Sequence, residues 1–440
     1  MERARSQAAR RLALRLLTQL RGGRLELVED GRRLGFGGPA TDLRVEVRIN
    51  DARAWPRLLG GSIGLAEGYV DGFWDCDDLP GLIRLAARNM AALDGWRRRI
   101  HPFASPLQKL ARRVPHNTRH GARRNISAHY DLGNELFESF LDSSLMYSAA
   151  VYEDPAESLE QAQQNKLERI CEQLELGPAD HLLEIGTGWG GLAIHAASTR
   201  GCRVTTTTIS REQREFALAR IEEAGLGDRI EVLGQDYRDL LGRYDKLVSI
   251  EMIEAVGWQY FETYFRKCSE LLRPDGLMFL QAIVIDDGLY ELEKASRSFA
   301  NTHVFPGGCL PSDRVIEALV GELTDMHTIW LDDISGDYAL TLAAWRERFN
   351  AAHSELASSG YDRRFGRLWN FYLAFSEAGF AERRIRDLQY VFAKPAWRPA
   401  TVRSSPEPGS RSGSTNGGDP ANLSVRASDE SDPRSPAPVS

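Results

Sequence analysis

Cysteine is scarce in this chain, with five in 440 residues. Cys76, Cys171, Cys202, Cys268 and Cys309 lie far apart with no CxxC pair. That spacing argues against a structural zinc site or a disulfide framework, fits reduced thiols in a cytoplasm, and gives no metal site to expect. Long apolar runs are also missing, and none approaches the roughly 18–20 residues that cross a bilayer. Residues 1–11 lack an apolar core followed by a small-residue cleavage site, and the short Leu12–Leu17 run is interrupted by Arg15, so no signal peptide is expected. Acidic residues are absent from one whole stretch. Between Arg97 and Arg124 there are nine basic residues and no Asp or Glu, in a chain whose net charge is −7. Such a block is either a solvated linker or a footing on anionic lipid, where each Lys or Arg contributes roughly 1 kcal/mol. Nucleic acid would attract the same charge, but no base-reading module accompanies it, and no nucleic-acid partner is expected.

What is present divides the chain into four regions. Residues 1–95 mix helical patches with alternating stretches such as Leu43–Ile49, read as a strand, and a glycine-punctuated aromatic segment, Gly60–Trp74, read as a packed, turn-rich unit. Residues 96–124 form a basic connector with prolines at 102, 106 and 115. From 125 to 397, strands and helices alternate as in a parallel α/β sheet. Strands are expected at 182–185, 203–209, 229–233, 246–250 and 277–283, with helices at 158–176, from 192, and at 211–224. Residues 398–440 are rich in Pro, Ser and Gly, and are expected to be a disordered tail.

The strand Leu182–Ile185 runs into Gly186–Gly191 (GTGWGG) and then into a helix, which brings backbone amides and a helix N-terminus to a ligand. Gly186, Gly188 and Gly191 satisfy GxGxxG, which alone leaves a dinucleotide and S-adenosylmethionine in competition. A dinucleotide site wants a carboxylate at the tip of the second strand, and Thr205–Ser210 has none there. Glu184 instead precedes the first glycine, where it suits a cationic amino-acid ligand, and Asp236 follows the third strand, where an adenine edge or amino group is met. S-adenosylmethionine is the better reading, and Glu184, Gly186, Gly188, Trp189 and Gly190 belong to its loop.

At Asn125–Asn134 (NISAHYDLGN) and Met146–Tyr152 (MYSAAVY) the chain resembles the cyclopropane-fatty-acyl-phospholipid synthase family. The resemblance continues through Leu183–Gly191, Thr208–Gln213, Gln235–Asp239, Met252–Gly257, Phe305–Ser312 and Ala344–Phe349, covering roughly residues 30–395. It implies a class I methyltransferase sheet, Rossmann-like, with a smaller α+β domain in front. It also implies that Tyr147, Ser148, Gly186, Gly188, Thr208, Gln213, Asp236 and Tyr237 line the cofactor pocket. The implied reaction moves a methyl from S-adenosylmethionine to a cis double bond of a phospholipid acyl chain. Ring closure then follows by proton loss to a bicarbonate gripped by Cys, Glu, His and Tyr side chains.

The base half of that pattern is altered. Glu254 and Ile283 match, but Ala149, Gln281 and Arg346 stand at the cysteine, histidine and tyrosine positions, and Ser376 replaces a second cysteine. Two readings stay open: Gln281 and Arg346 hold bicarbonate as hydrogen-bond donors, or the cation becomes a methyl-branched or methylene chain, as in fatty-acid 10-methyltransferases. Arg346 can equally pair with a nearby acid. His129 is a catalytic candidate set against a structural hydrogen-bonder, and Asp337–Tyr338 is read as a helix cap or, for Tyr338, as a wall of the acyl pocket. The implied setting is cytoplasmic and peripheral at the inner membrane surface, with unsaturated phospholipid and an anionic surface as partners and a homodimer left open.

Overall fold

The structure, a computed structural model, describes residues 2–38, 42–90, 132–295 and 297–399. The basic connector 96–124, His129 and the tail from residue 400 lie outside the described residues. The chain divides into Met1–Arg398 and Pro399–Ser440, and both sheets belong to the first unit.

The first sheet has the order β2-β1-β3-β4, built from β1 (Arg24–Glu29), β2 (Arg32–Gly37), β3 (Arg44–Ile49) and β4 (Trp74–Cys76). Leu25, Leu27, Val45, Val47 and Ile49 are buried by the period-two alternation visible in the sequence. The glycine-rich segment read as turns is instead the helix Gly61–Val70. Its glycines mark close packing rather than turns. A Cβ at Gly64 would stand 2.2 Å from the carbonyl oxygen of Arg57, so only glycine lets the two helical segments approach.

The second sheet carries the order β10-β11-β9-β8-β5-β6-β7. Its parallel core is β5 (His181–Ile185), β6 (Arg203–Thr207), β7 (Ile230–Leu233), β8 (Tyr244–Ile250) and β9 (Leu272–Ile285), close to the expected ranges. The sheet is mixed rather than wholly parallel. β11 (Ile385–Ala393) runs antiparallel to β9, and β10 (His327–Asp333) antiparallel to β11. Ser158, Ser210 and Ser312 cap three of the flanking helices, each side chain accepting a backbone N–H three residues on.

Two long helices, Ser335–Ser358 and Arg363–Ala381, pack on one another and join the two sheets. Arg367 fastens the joint: its Nε donates to Tyr69 O (2.7 Å), its Nη2 to Asp75 Oδ1 (2.7 Å), and its guanidinium lies 3.9 Å from the Tyr69 ring centroid. On the same side Arg84 and Arg88 both pair with Glu382.

Alanine in an exposed helix ordinarily gains about 1 kcal/mol over glycine. Gly64→Ala should reverse that sign, destabilising the protein by about 1–3 kcal/mol because the clash is with backbone. Urea unfolding of the two proteins checks it.

Candidate functional site

In a parallel sheet the carboxyl ends of the central strands open onto a crevice where the strand order reverses. Here β5, β6 and β8 end around one cavity, closed on another side by Leu145–Ser148. Tyr147, Ser148, Glu184, Gly186, Gly188, Trp189, Thr208, Gln213, Asp236 and Tyr237 all line it. Gly190 does not. It is the left-handed residue (φ 86°) that starts the helix Gly191–Arg200. Gly188 is also left-handed (φ 51°), and a Cβ there would meet nothing within 4 Å. The loop therefore presents bare backbone.

The polar groups in this wall are arranged for a cationic, multi-donor ligand. Glu184 is fully buried with Thr206 Oγ1 as its donor (2.6 Å), and burial pushes its carboxyl up to about 8. A bound ammonium would restore its charge. Asp236 is held by Arg238 through Nε (2.7 Å) and Nη2 (2.6 Å), and caps the turn Tyr237–Asp239. Among the described residues the buried Tyr237 hydroxyl has no hydrogen-bond partner, and Thr208 Oγ1 donates to Gln213 Oε1 at 3.0 Å. Ser148 Oγ accepts from Lys166 Nζ (2.6 Å), a fully buried ammonium whose pKa burial lowers to about 8.

Beside this half lies a second, carboxylate-rich cluster. Glu251, at the end of β8, lines the cavity in a left-handed backbone conformation (φ 46°) uncommon for a non-glycine residue. Its Oε1 accepts from Ala149 N (2.8 Å) and Gln281 Nε2 (2.8 Å), and its Oε2 from Tyr338 O–H (2.5 Å). Gln281 Nε2 also donates to Asp387 Oδ2 (3.0 Å), while its Oε1 accepts from Gln389 (3.0 Å). Glu254 is fully buried, takes the Ile283 N–H on Oε1 (2.5 Å), has no partner for Oε2 among the described residues, and is pushed up to about 8 by burial and by Glu251.

The candidates thus separate. Glu254, Gln281 and Tyr338 gather around Glu251, whereas Arg346 does not: its Nε donates to Glu377 (2.8 Å), and it lines a separate groove with Tyr152, Glu157 and Asn350. Tyr338 and Asp337 lie inside the helix Ser335–Ser358 rather than capping it; the residue before that helix, Ile334, makes no side-chain cap. The bicarbonate grips do not fit their proposed guest. Ala149 offers only a methyl, both Gln281 amide hydrogens face carboxylates, Ile283 N–H already serves Glu254, and Arg346 is engaged elsewhere. Thiol chemistry has no support either, since burial pushes Cys171, Cys268 and Cys309 up to about 12. Among the described residues no His, Cys, Asp and Glu group could hold a metal ion.

Sequence reasoning missed Glu251, Asp387 and Lys166. Two of them carried a readable signal: Glu251 is an acid at a strand's carboxyl end, three residues before Glu254, and Asp387 is the acid in the otherwise largely apolar β11.

The sheet order and the glycine-loop cavity define an S-adenosylmethionine-dependent methyltransferase of class I. Comparison with known proteins bears this out. Residues 117–390 match the family model described as mycolic acid cyclopropane synthetase, and the chain belongs to that family. It is 37% identical to the tuberculostearic acid methyltransferase UfaA1 of Mycobacterium tuberculosis over 86% of this chain and 88% of that one. It is 38% identical to the cyclopropane-fatty-acyl-phospholipid synthase of Escherichia coli, over 79% and 88%. The structure of mycolic acid cyclopropane synthase CmaA1 complexed with SAH and CTAB superposes with a TM-score of 0.58 at 26% identity, covering 62% of this chain and 98% of that one. The cofactor is S-adenosylmethionine.

Because Glu184 is held protonated by burial, the free protein loses stability as pH rises from the carboxylate's ordinary value near 4.5 toward 8. Glu184→Gln removes that loss, so relative to wild type it should gain at least about 1 kcal/mol between pH 5 and pH 8. Urea unfolding of cofactor-free protein at the two pH values measures the difference.

Proposed function

We propose that the enzyme transfers the methyl carbon of S-adenosylmethionine to the cis double bond of an unsaturated phospholipid acyl chain and closes a cyclopropane. One observation carries this beyond the family assignment: Tyr147 gives the cofactor cavity an aromatic face suited to an alkyl chain and its cation, held in place by a buried aromatic cluster behind it. Tyr147 lines the cavity, stacks on Trp345 (5.3 Å), meets Phe137 edge-on (5.2 Å), and bonds through its hydroxyl to Tyr372 (2.7 Å). Phe140 and Trp369 extend the same cluster. Such faces exclude water and stabilise a carbocation without capturing it.

In this reading Glu184, Asp236, Tyr237, Thr208 and Gln213 bind and orient the cofactor, and the loop Gly186–Gly191 gives its backbone to it. When bound, the cofactor supplies an electrophilic methyl in line with the alkene. A second reading, a methyl-branched or methylene product, draws support from the kinship to tuberculostearic acid methyltransferase and from the altered bicarbonate grips. The enzyme works at an anionic membrane surface, reached through the basic stretch 97–124. No helix of the described residues is long and apolar enough to cross a membrane.

Incubation with S-adenosylmethionine and monounsaturated phospholipid vesicles should add the mass of one CH₂ per modified chain. Two further hydrogens would identify the saturated methyl branch, and unchanged lipid would end the acyl-chain reading. Reversing Arg97, Arg98, Arg99, Arg112 and Arg113 to Glu should abolish co-flotation with anionic vesicles, since each cation near such a surface contributes roughly 1 kcal/mol. Undiminished flotation would rule out the basic footing.

A further inference from the structure

The reaction needs a proton acceptor beside the reacting carbon, and the side chains present do not fit bicarbonate in that place. They do provide a carboxylate of their own. Glu251 lines the cofactor cavity and is fixed by donors from three separate segments: Ala149 N–H, Gln281 and Tyr338. Its backbone is left-handed at φ 46°, a conformation of the kind that is retained where the side chain's position matters.

We propose that Glu251 is the resident proton acceptor of this enzyme, taking the proton released when the methylated acyl cation closes to a ring. This rests on the acyl-chain reading above. In the first step the alkene π pair bonds to the methyl carbon, and the sulfur–carbon pair leaves with sulfur. A C–H bond of the new methyl then breaks, its electron pair forms the third ring bond at the cationic carbon, and the proton adds to the Glu251 carboxylate.

The surroundings suit that step. Glu251 and Asp387 are both fully buried, hydrogen-bond through their carboxyls, and share Gln281. Burial pushes both carboxyls up, and Asp387 further because the Glu251 charge is beside it. Glu251 has three donors and the nearby Lys166 charge to favour its ionised form, and that charge in turn favours the protonated form of Asp387. Accepting the substrate's proton leaves both carboxyls neutral in a low-dielectric site, where a second carboxylate is costly. Gln281 is then a positioning residue, its amide holding Glu251 and Asp387 in register. Tyr338, stacked on Phe380 (4.3 Å), fixes the other oxygen.

The test uses the full chain with S-adenosylmethionine and monounsaturated phosphatidylglycerol vesicles. Wild-type enzyme in buffer scrubbed of carbon dioxide should form cyclopropane chains at the rate seen with added bicarbonate. Glu251→Gln should lower ring formation by about a hundredfold, the scale of a lost general base. The residual methylated chains should shift to unclosed products, alkene isomers or alcohols from water capture, resolved by mass spectrometry and by the ring-proton NMR signals. Glu251→Asp should recover part of the ring fraction. That product ratio separates proton acceptance from a merely structural role, which would slow all products alike. Ring formation by Glu251→Gln at a rate comparable to wild type overturns the proposal, as does a wild-type enzyme that is inactive until bicarbonate is added. If the glutamine variant does not fold, the bicarbonate measurement on wild type decides by itself. Wild-type enzyme that leaves the lipids unchanged overturns the acyl-chain reading, whereas methylation ending only in saturated branches overturns the proton acceptor alone.

Discussion

Three parts of the molecule converge on the carboxylate of Glu251. The loop that closes the cofactor cavity sends Ala149 N–H, β9 sends the Gln281 amide, and the helix Ser335–Ser358 sends the Tyr338 hydroxyl. A buried carboxylate is tolerated only when its oxygens are satisfied. The cavity lid, the sheet and the long helix must therefore be in place together. Asp387 extends the dependence to β11, the antiparallel strand beside β9.

The two halves of the site are held by different means. The donor half is a feature of the parallel sheet: strand ends, a bare glycine loop and two buried acids, Glu184, whose balance is set by a cation, and Asp236, held by Arg238. The acceptor half is a network of side chains in which every amide and hydroxyl is committed. A network of that kind is rigid and excludes water, and a single missing donor leaves an uncompensated charge. This difference bears on the resemblance drawn from the sequence, in which the donor half fits the family pattern and Ala149, Gln281 and Arg346 are expected to depart from it. Gln281 has no free capacity for an added anion because it serves Glu251 and Asp387, and Arg346 serves Glu377 on the neighbouring helix.

The front sheet is tied to the same framework through Arg367, whose guanidinium reaches β4 and the Tyr69 ring from the helix Arg363–Ala381. That helix also supplies Trp369 and Tyr372 to the buried aromatic cluster that holds Tyr147 at the cavity. Packing of the front part thus bears on the cavity wall through one helix.

Contiguous features were legible from the residues alone. The five parallel strands, the glycine loop and the cofactor follow from local periodicity and short motifs, because each depends on neighbours in the chain. Ten of the eleven residues expected to form the cofactor site line one cavity, and Gly190 instead turns the chain into the next helix. The helix Gly61–Val70 was misread as turns, because the reason for its glycines, the Arg57 carbonyl, lies across a packing contact. The antiparallel β10 and β11 and the acid pair Glu251–Asp387 were decided only in three dimensions. Residues 251 and 387 are far apart in sequence, and burial and hydrogen bonding between them exist only once β8, β9 and β11 are side by side. The sequence by itself determined the methyl donor. The tertiary structure decided which carboxylates surround it, because a carboxyl's proton affinity is set by neighbours brought together through the fold.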